Sequence, residues 1–419
     1  MNQYAQEAMA HLKVLTERIG HRPAASPENA AAADYIEGVL RGAGLEVERQ
    51  NFACMGWDHQ ETILELSGRR LEGQANWRSL PCDSSGAIVP VGSLDVLAQA
   101  DLSGRIALLH GELTQDEISN RDSTAYYPEN HRKANQLLDQ KQPLAVITVC
   151  PLLQSIRHVI KDPDAPFPSA TVMPEVGLDL LQHAGETARL RIDARRSASQ
   201  SCNVIGTRLG TRPERIVLCA HYDTVWGSPG AYDNASGASV LLTLAQALAE
   251  RDLPVGLEFY ASSGEEFGGQ GTTAYQDRYG LKFFPFLWDR PVGERSPVWE
   301  PILAAINADG VGQKLGTNNI TTIAGSEAFS AMIEGIRQGK YPGVASTCPW
   351  PASDHYTFYS HGVPSIAISC SGGVANHHHQ PIDTIHWISA EKLGEVVSLA
   401  LDVVDELQDK TSDWCRPAR

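Results

Sequence analysis

The chain has 419 residues, 42% hydrophobic and 20% charged, which excludes a disordered polymer and leaves room for two or three domains. A net charge of −16 argues against a nucleic-acid or anionic-membrane partner. No run of about 18 apolar residues exists, so no membrane-spanning helix is expected. The N-terminus is polar and amphipathic, without a signal-peptide core. Eight scattered cysteines (Cys54, Cys82, Cys150, Cys202, Cys219, Cys348, Cys370 and Cys415) form no C-x-x-C pair and read as free thiols, which makes the cytoplasm the expected compartment.

In chain order, residues 4–20 and 27–43 read as amphipathic helices, with Ser26 as N-cap and Gly44 as stop. Leu45–Phe52 and Glu61–Leu66 read as strands, and this first layer is expected to carry no chemistry. Between 68 and 198 the helical period fades. Short strand-like runs appear at 87–89, 105–109, 144–149, 170–173 and 188–192, with one helix at 131–141. The expected division is therefore an α/β domain of residues 1–67 and 199–419, interrupted by a β-rich insertion of residues 68–198. The insertion's histidines (His110, His131, His158 and His183) stand apart from one another, whereas a metal site needs convergent ligands.

From residue 199 the α/β pattern resumes. Arg215–Ala220 is an apolar run read as a buried strand ending on His221, with Asp223 two residues on. A Gly/Pro-rich loop, Gly227 to Gly230, delivers Asp233-Asn234, either of which could cap a helix over 235–250. Val255–Tyr260 is a second strand, ending in Ser262-Ser263-Gly264-Glu265-Glu266, and a helix follows at about 269–279. The stretch 281–300 reads as loop. Ile302–Ile306 is a strand ending at Asn307-Ala308-Asp309, and 320–324 is another, followed by a helix at 326–338. Ser353-Asp354-His355 reads as a loop before a strand at 364–369, and 389–408 as a long C-terminal helix. Strands alternating with helices imply a mostly parallel, mixed α/β sheet with helices on both faces. Ligands in such sheets bind beyond the carboxyl ends of the strands, which is where His221, Asp233, Glu265, Glu266 and Asp309 fall.

These acids, with a histidine from His377-His378-His379, are a ligand shell for a borderline divalent cation such as zinc. Five ligand positions exceed what one tetrahedral zinc needs, whereas two cations sharing a carboxylate would use them all. The glutamate pair suits a division of labour between metal binding and proton transfer. Residues 265 and 266 follow a strand, so their side chains should diverge.

The motifs His221-x-Asp223, Gly230-Ala-Tyr-Asp233-Asn234-x-Ser236-Gly237, Glu265-Glu266, Asn307-x-Asp309, Ser353-Asp354-His355-x-x-Phe358 and His379-x-Pro381-x-Asp383-Thr384 together resemble the di-zinc aminopeptidase family, relatives of glutamate carboxypeptidase and the transferrin receptor. The insertion resembles the protease-associated domain many members carry. The resemblance implies that His221, Asp233 and Asp309 hold one zinc, and that Asp233, Glu266 and His379 hold the other. It makes Glu265 the general base and Asp223 the partner that orients His221. A tyrosine that members often have before the last ligand histidine is His378 here, so the oxyanion or substrate contact stays open among Asp354, His355, Tyr356 and His378. His379 is chosen within the triple histidine because Pro381, Asp383 and Thr384 fall at the family's spacing.

The resulting expectation is a cytoplasmic metallo-exopeptidase that hydrolyses the first peptide bond of a peptide substrate with two zinc ions or similar divalent metals, and it leaves homo-oligomer formation open. Two rivals are a glutaminyl-cyclase-like acyltransferase with one zinc, and a non-catalytic receptor-like homologue. The full ligand set and the intact Glu265 speak against them. The helical H-E-x-x-H signature is absent. Gly269-x-Gly271-x-x-Ala274 mimics a dinucleotide fingerprint, but the two glutamates before it would repel a pyrophosphate.

Overall fold

A computed structural model describes residues 3–121, 127–153, 156–281, 295–350, 352–373 and 377–418, so most of the expected loop at 281–300 lies outside the described residues. Two compact units result, Met1–Cys54 with Gln200–Arg419, and Met55–Ser199. The first boundary thus falls at 54/55 rather than 67/68, and the second at 199/200. The reason is that β1 (Glu46–Leu66) is one strand of 21 residues, not the two short strands read from the sequence. Before it come α1 (Gln3–Lys13) and α2 (Pro27–Gly42). The Ser26 hydroxyl accepts the Asn29 N–H at 3.0 Å to cap α2, with Pro27 at the first helical position and Gly44 left-handed beyond the end.

In the inserted unit, β1 turns into β2 (Arg69–Leu71) through Ser67 and Gly68, both with positive φ, which matches the twist of a two-residue hairpin. Then come β3 (Gln74–Ala75), β4 (Cys82–Val91), α3 (Leu94–Gln99), β5 (Ile106–Leu109), α4 (Glu129–Lys141), β6 (Ala145–Val149), β7 (Ser169–Val172), α5 (Pro174–Gln182) and β8 (Thr187–Arg208). Strands β4, β5, β6 and β7 pair in parallel in that order. Parallel neighbours need crossover connections, which α3 builds between β4 and β5 and α4 between β5 and β6. The insertion therefore carries three helices among the described residues, where the sequence showed only one. The two missed helices have six and nine residues, too few turns to establish a period.

The larger unit continues with β9 (Arg215–His221), α6 (Ser236–Leu248), β10 (Gly256–Ser262), α7 (Gln270–Asp277), β11 (Ile302–Ala308), β12 (Gly316–Ile323), α8 (Glu327–Lys340), β13 (Ala345–Ser346), α9 (His355–Tyr359), β14 (Ser365–Gly372) and α10 (Ala390–Glu406). Its strand order is β13-β12-β14-β11-β9-β10-β8. The central four, β14, β11, β9 and β10, are parallel, while β12 and the Val204–Arg208 end of β8 run antiparallel beside them. Every residue of β9 from Ile216 to His221 is buried, as a strand covered on both faces requires. Ile216, Leu218 and Ala220 join one core with Leu12, Leu244 and Leu399 from the helices. Val217 and Cys219 point the other way, into a second core with Tyr275, Trp299 and Phe358. Period-two alternation thus feeds two helical layers from one strand.

Candidate metal and catalytic centre

Register sets the site. His221 pairs with Ser262 across β9 and β10, and Cys219 pairs with Asn307 across β9 and β11. The carboxyl ends of three parallel strands are therefore level. His221 ends the first, Glu265 and Glu266 follow the second by three and four residues, and Asp309 lies two residues past Asn307. Divergence of the two glutamates comes about differently from the sequence expectation: Gly264 (φ 76°) ends the extended run, and Glu265–Phe267 is a 3-10 turn. One third of a turn per residue, rather than strand pleating, separates their side chains.

Asp233 arrives by the loop after His221. Gly230 has φ 56°, and a Cβ there would lie 2.3 Å from the Thr224 methyl carbon and 2.5 Å from the Asp233 carbonyl oxygen, so only glycine fits. Asp383 then holds the loop: its Oδ1 accepts the Tyr232 N–H at 2.8 Å, and its Oδ2 accepts the Asp233 N–H at 3.1 Å. The residue at the N-cap of α6 is Ala235 rather than either candidate, and Asn234, one position earlier, docks the start of the helix instead. Its Oδ1 accepts the N–H groups of Gly237 (2.9 Å) and Gly310 (3.2 Å), and its Nδ2 donates to the Ala308 carbonyl (3.0 Å). A Cβ on Gly237 would sit 2.0 Å from that same carbonyl oxygen. Asn234 and Gly237 together dock the Asp233 loop on the strand end that carries Asp309.

Two ligand groups result. His221, Asp233 and Asp309 converge, as do Asp233, Glu266 and His379. His221 Nε2 lies 3.2 Å from Asp233 Oδ1 and 3.5 Å from Asp309 Oδ1. His379 Nε2 lies 2.9 Å from Asp233 Oδ2 and 3.0 Å from Glu266 Oε2. Each Asp233 oxygen thus serves a different group. Zinc bonds of about 2.0–2.2 Å in a tetrahedron put neighbouring ligand atoms about 3.3–3.6 Å apart, near the spacings seen here. Imidazole nitrogens with carboxylate oxygens are also zinc's preferred donors, so the residues fit the metal.

The electrostatics point the same way. Burial alone would strip the proton from His221, yet Asp309, Asp223 and Asp233 hold its pKa well above the usual histidine range. Burial would raise Asp233, yet His221 and His379 hold it well below the usual carboxylate range. The cluster attracts positive charge even at the cost of keeping a buried imidazole protonated. His221 and Glu266 are buried, whereas Asp233, Asp309 and His379 each keep about 15% of the side chain exposed, so the cluster has an accessible side. Asp223 Oδ1 lies 3.5 Å from His221 Nδ1 and accepts the Glu265 N–H at 3.3 Å. Glu265 itself is only partly exposed, and loss of hydration first, then the charges of Asp309, Glu266 and Asp354, raise its pKa well above the usual range against the pull of His221.

The four candidates for substrate contact separate. Asp354 is buried; it accepts hydrogen bonds from the Ser262 hydroxyl (2.5 Å) and the Thr272 hydroxyl (3.0 Å), and burial pushes its pKa up to about 6. It ties β10 to α7. His355 Nε2 donates to the Trp350 carbonyl (2.8 Å), Nδ1 accepts from Asn307 Nδ2 (3.1 Å), and burial lowers its pKa to about 4. Both brace the interior through these bonds, and α9 starts at His355 where a loop was expected. Tyr356 is 5% exposed with its ring edge-on to Tyr359, and burial pushes its pKa up to about 12. His378 is partly exposed, its ring 4.6 Å from that of His379. His377 is buried between Tyr232, at 4.9 Å, and Trp387, at 6.1 Å. The glycine run after Glu266 serves packing: a Cβ on Gly271 would sit 2.2 Å from the Ser263 carbonyl oxygen.

Sequence reasoning missed Arg22, Asn29 and Asn203. Asn203 Nδ2 donates to the Gly271 carbonyl at 2.8 Å, and its Oδ1 accepts the Ser263 N–H at 3.2 Å, fixing the turn before Glu265. A strand asparagine that is fully buried was the available signal, and only the three-dimensional structure reveals the burial.

Peptidase family M28 is matched over residues 203–404, the stretch holding all five candidate ligands and Glu265. Aminopeptidase YwaD of Bacillus subtilis is 25% identical over 435 residues, covering 97% of this chain and 85% of that protein. Leucine aminopeptidase 2 of Trichophyton equinum is 40% identical over 261 residues, covering 58% of this chain and about half, 48%, of the fungal protein. In fold, the chain is similar to the B. subtilis zinc aminopeptidase BSAP (TM-score 0.77, 23% identity, 98% of each chain covered) and to a peptidase M28 precursor from Shewanella amazonensis (TM-score 0.76, 18% identity, 100% and 97% covered). The candidate ligand-bearing strand ends, the matched stretch and these relatives agree: over residues 203–404 the chain matches peptidase family M28.

Proposed function

We propose that the chain is a metal-dependent aminopeptidase that removes the first residue of peptides, with Glu265 as general base and zinc as the metal. The observation that carries this reading is the division of Asp233, whose two oxygens face separate ligand groups at 2.9–3.2 Å from a histidine nitrogen. Bound in those groups, two cations would supply an acidified water and a Lewis-acid contact to the scissile carbonyl. Asp233, gripped through its backbone by Asp383, fixes the spacing of the two groups. Asp223 aligns both His221 and the Glu265 backbone, so one buried carboxylate sets ligand and base together. Glu265 takes a proton from the attacking water and returns it to the leaving amine. A carboxylate with a raised pKa suits that shuttle, and cations bound at its neighbours would lower the value. We assign the oxyanion contact to His378, the partly exposed neighbour of His379.

Support for exopeptidase action at the amino end comes from the relatives, which carry the name aminopeptidase. We further propose that the unit Met55–Ser199 is a protease-associated-like module that sorts substrates by length. It is built on its own core, and among the described residues neither ligand group draws on it. A panel of aminoacyl-4-nitroanilides with N-acetylated counterparts tests the main reading. Hydrolysis of the free-amine substrates alone, abolished by chelation and restored by zinc, is expected; equal hydrolysis of the acetylated set would overturn it.

A further inference from the structure

The first layer of the chain, read from sequence as chemically silent, sends a buried cation toward the metal centre. Arg22 is fully buried. Its Nε donates to the Tyr222 carbonyl at 2.6 Å, one nitrogen of its fork donates to Pro229 (2.8 Å) and Gly20 (3.0 Å), and the other donates to Gly230 (3.0 Å). Its backbone N–H adds a bond to the Thr224 hydroxyl at 3.0 Å. The partners on the larger loop are its two ends: Tyr222 follows His221, and Pro229-Gly230 lead into Asp233. Among the described residues no carboxylate forms an ion pair with it, so its donors are spent on carbonyls. Burial lowers its pKa to about 10, against the opposing charges of Asp223, Asp383, Asp233 and Glu266, so it stays protonated at neutral pH. The same segment reaches the other ligand strand: Asn29 Nδ2 donates to the Arg22 carbonyl (3.2 Å) and to the Ser263 hydroxyl (3.1 Å), two residues before Glu265.

We propose that Arg22 is a positioning residue for the metal centre: its guanidinium clamps both ends of the loop Tyr222–Gly230 and so fixes the separation of His221 from Asp233. The planar fork matters, because three divergent carbonyls on one loop need donors held in fixed directions, which an ammonium on a flexible stem does not supply. Asp383 grips residues 231–233 from the opposite side of Gly230, so Arg22 completes a two-sided hold on the bridging ligand. This inference rests on the two-metal reading above.

The test is chelator-competition titration of metal-stripped full-length protein with zinc, for the wild type, Arg22→Met, Arg22→Lys and Thr224→Val, alongside melting temperatures with and without zinc. Loss of an outer partner of a metal ligand weakens affinity by about 10–100-fold. Arg22→Met is expected in that range for the site containing His221, with Arg22→Lys recovering only part and Thr224→Val losing less. If Arg22→Met does not fold, Arg22→Lys and Thr224→Val carry the same comparison. Unchanged or tighter zinc binding, with metal-free and zinc-loaded melting points falling equally, would overturn the proposal and leave a purely structural arginine. If the wild type itself binds fewer than two zincs, the two-metal reading fails instead.

Discussion

His221 and His158 sit in different units and meet opposite fates. His158, in the unit Met55–Ser199, lies beside the amide oxygen of Asn76 at 3.2 Å, and burial lowers its pKa to about 4. His221 is more thoroughly enclosed, at 1% exposed against a partly exposed His158, yet three carboxylates reverse the effect of burial and hold its pKa well up. Both units build parallel strands joined by helices, and both bury histidines and polar side chains. What separates them is convergence. In the larger unit, three level strand ends and two following loops aim five side chains that could hold metal at one place. In the inserted unit, His131 meets Ser119 at 3.0 Å and His183 meets the Asp179 carbonyl at 2.8 Å, far from each other in the sequence. Residue type supplies the means for chemistry, and strand register decides whether it is assembled.

The sharpest break of this contrast is Asp233→Ala, which removes a ligand from both groups and leaves the others facing one another. Loss of both zincs and of all measurable turnover is expected, read by metal analysis of the purified protein; retention of two tightly held metals would show that Asp233 does not bridge. Next is Glu265→Gln, expected to cut kcat by about 10²–10⁴-fold with metal content unchanged, since the base is lost but the shape kept. Glu266→Gln should instead deplete one metal, and exchanged phenotypes would reverse the two roles.

For the inserted unit the expected signature is acid sensitivity. Above pH 6.5 His158 is neutral folded or unfolded and has no effect. As pH falls from 6.5 toward 4, the unfolded chain takes up a proton that the folded chain refuses, and stability is lost by on the order of 2–3 kcal/mol after allowing for partial exposure. Urea denaturation from pH 7.5 to 4.5 should show this slope, and His158→Gln should flatten it; an equally steep slope in the variant would place the acid sensitivity elsewhere. The smallest effect concerns the frame of the larger unit. Gly237→Ala forces a Cβ against the Ala308 carbonyl and should cost about 1–3 kcal/mol, seen as a lowered melting temperature. Unaltered melting would mean that α6 can move off β11 without penalty.

The sequence alone determined the alternation of strands and helices from residue 199 onward and the placement of His221, Asp233, Glu265, Glu266 and Asp309 at strand ends or in the loops after them, and its resemblance to a family pointed to His379 within a triple histidine. Those features are local: hydrophobic period, turn residues and motif spacing leave marks within a few positions. The tertiary structure decided the rest. Arg22 finds its partners about 200 positions away, at Tyr222 and Gly230. His355 becomes a brace because Asn307 and Trp350 take both of its ring nitrogens. The 3-10 turn at Glu265 depends on Asn203, a β8 residue some 60 positions earlier. Hydrogen bonds across such separations imprint no period on the chain, so the polar frame around the ligands becomes visible only once the sheet has set its register.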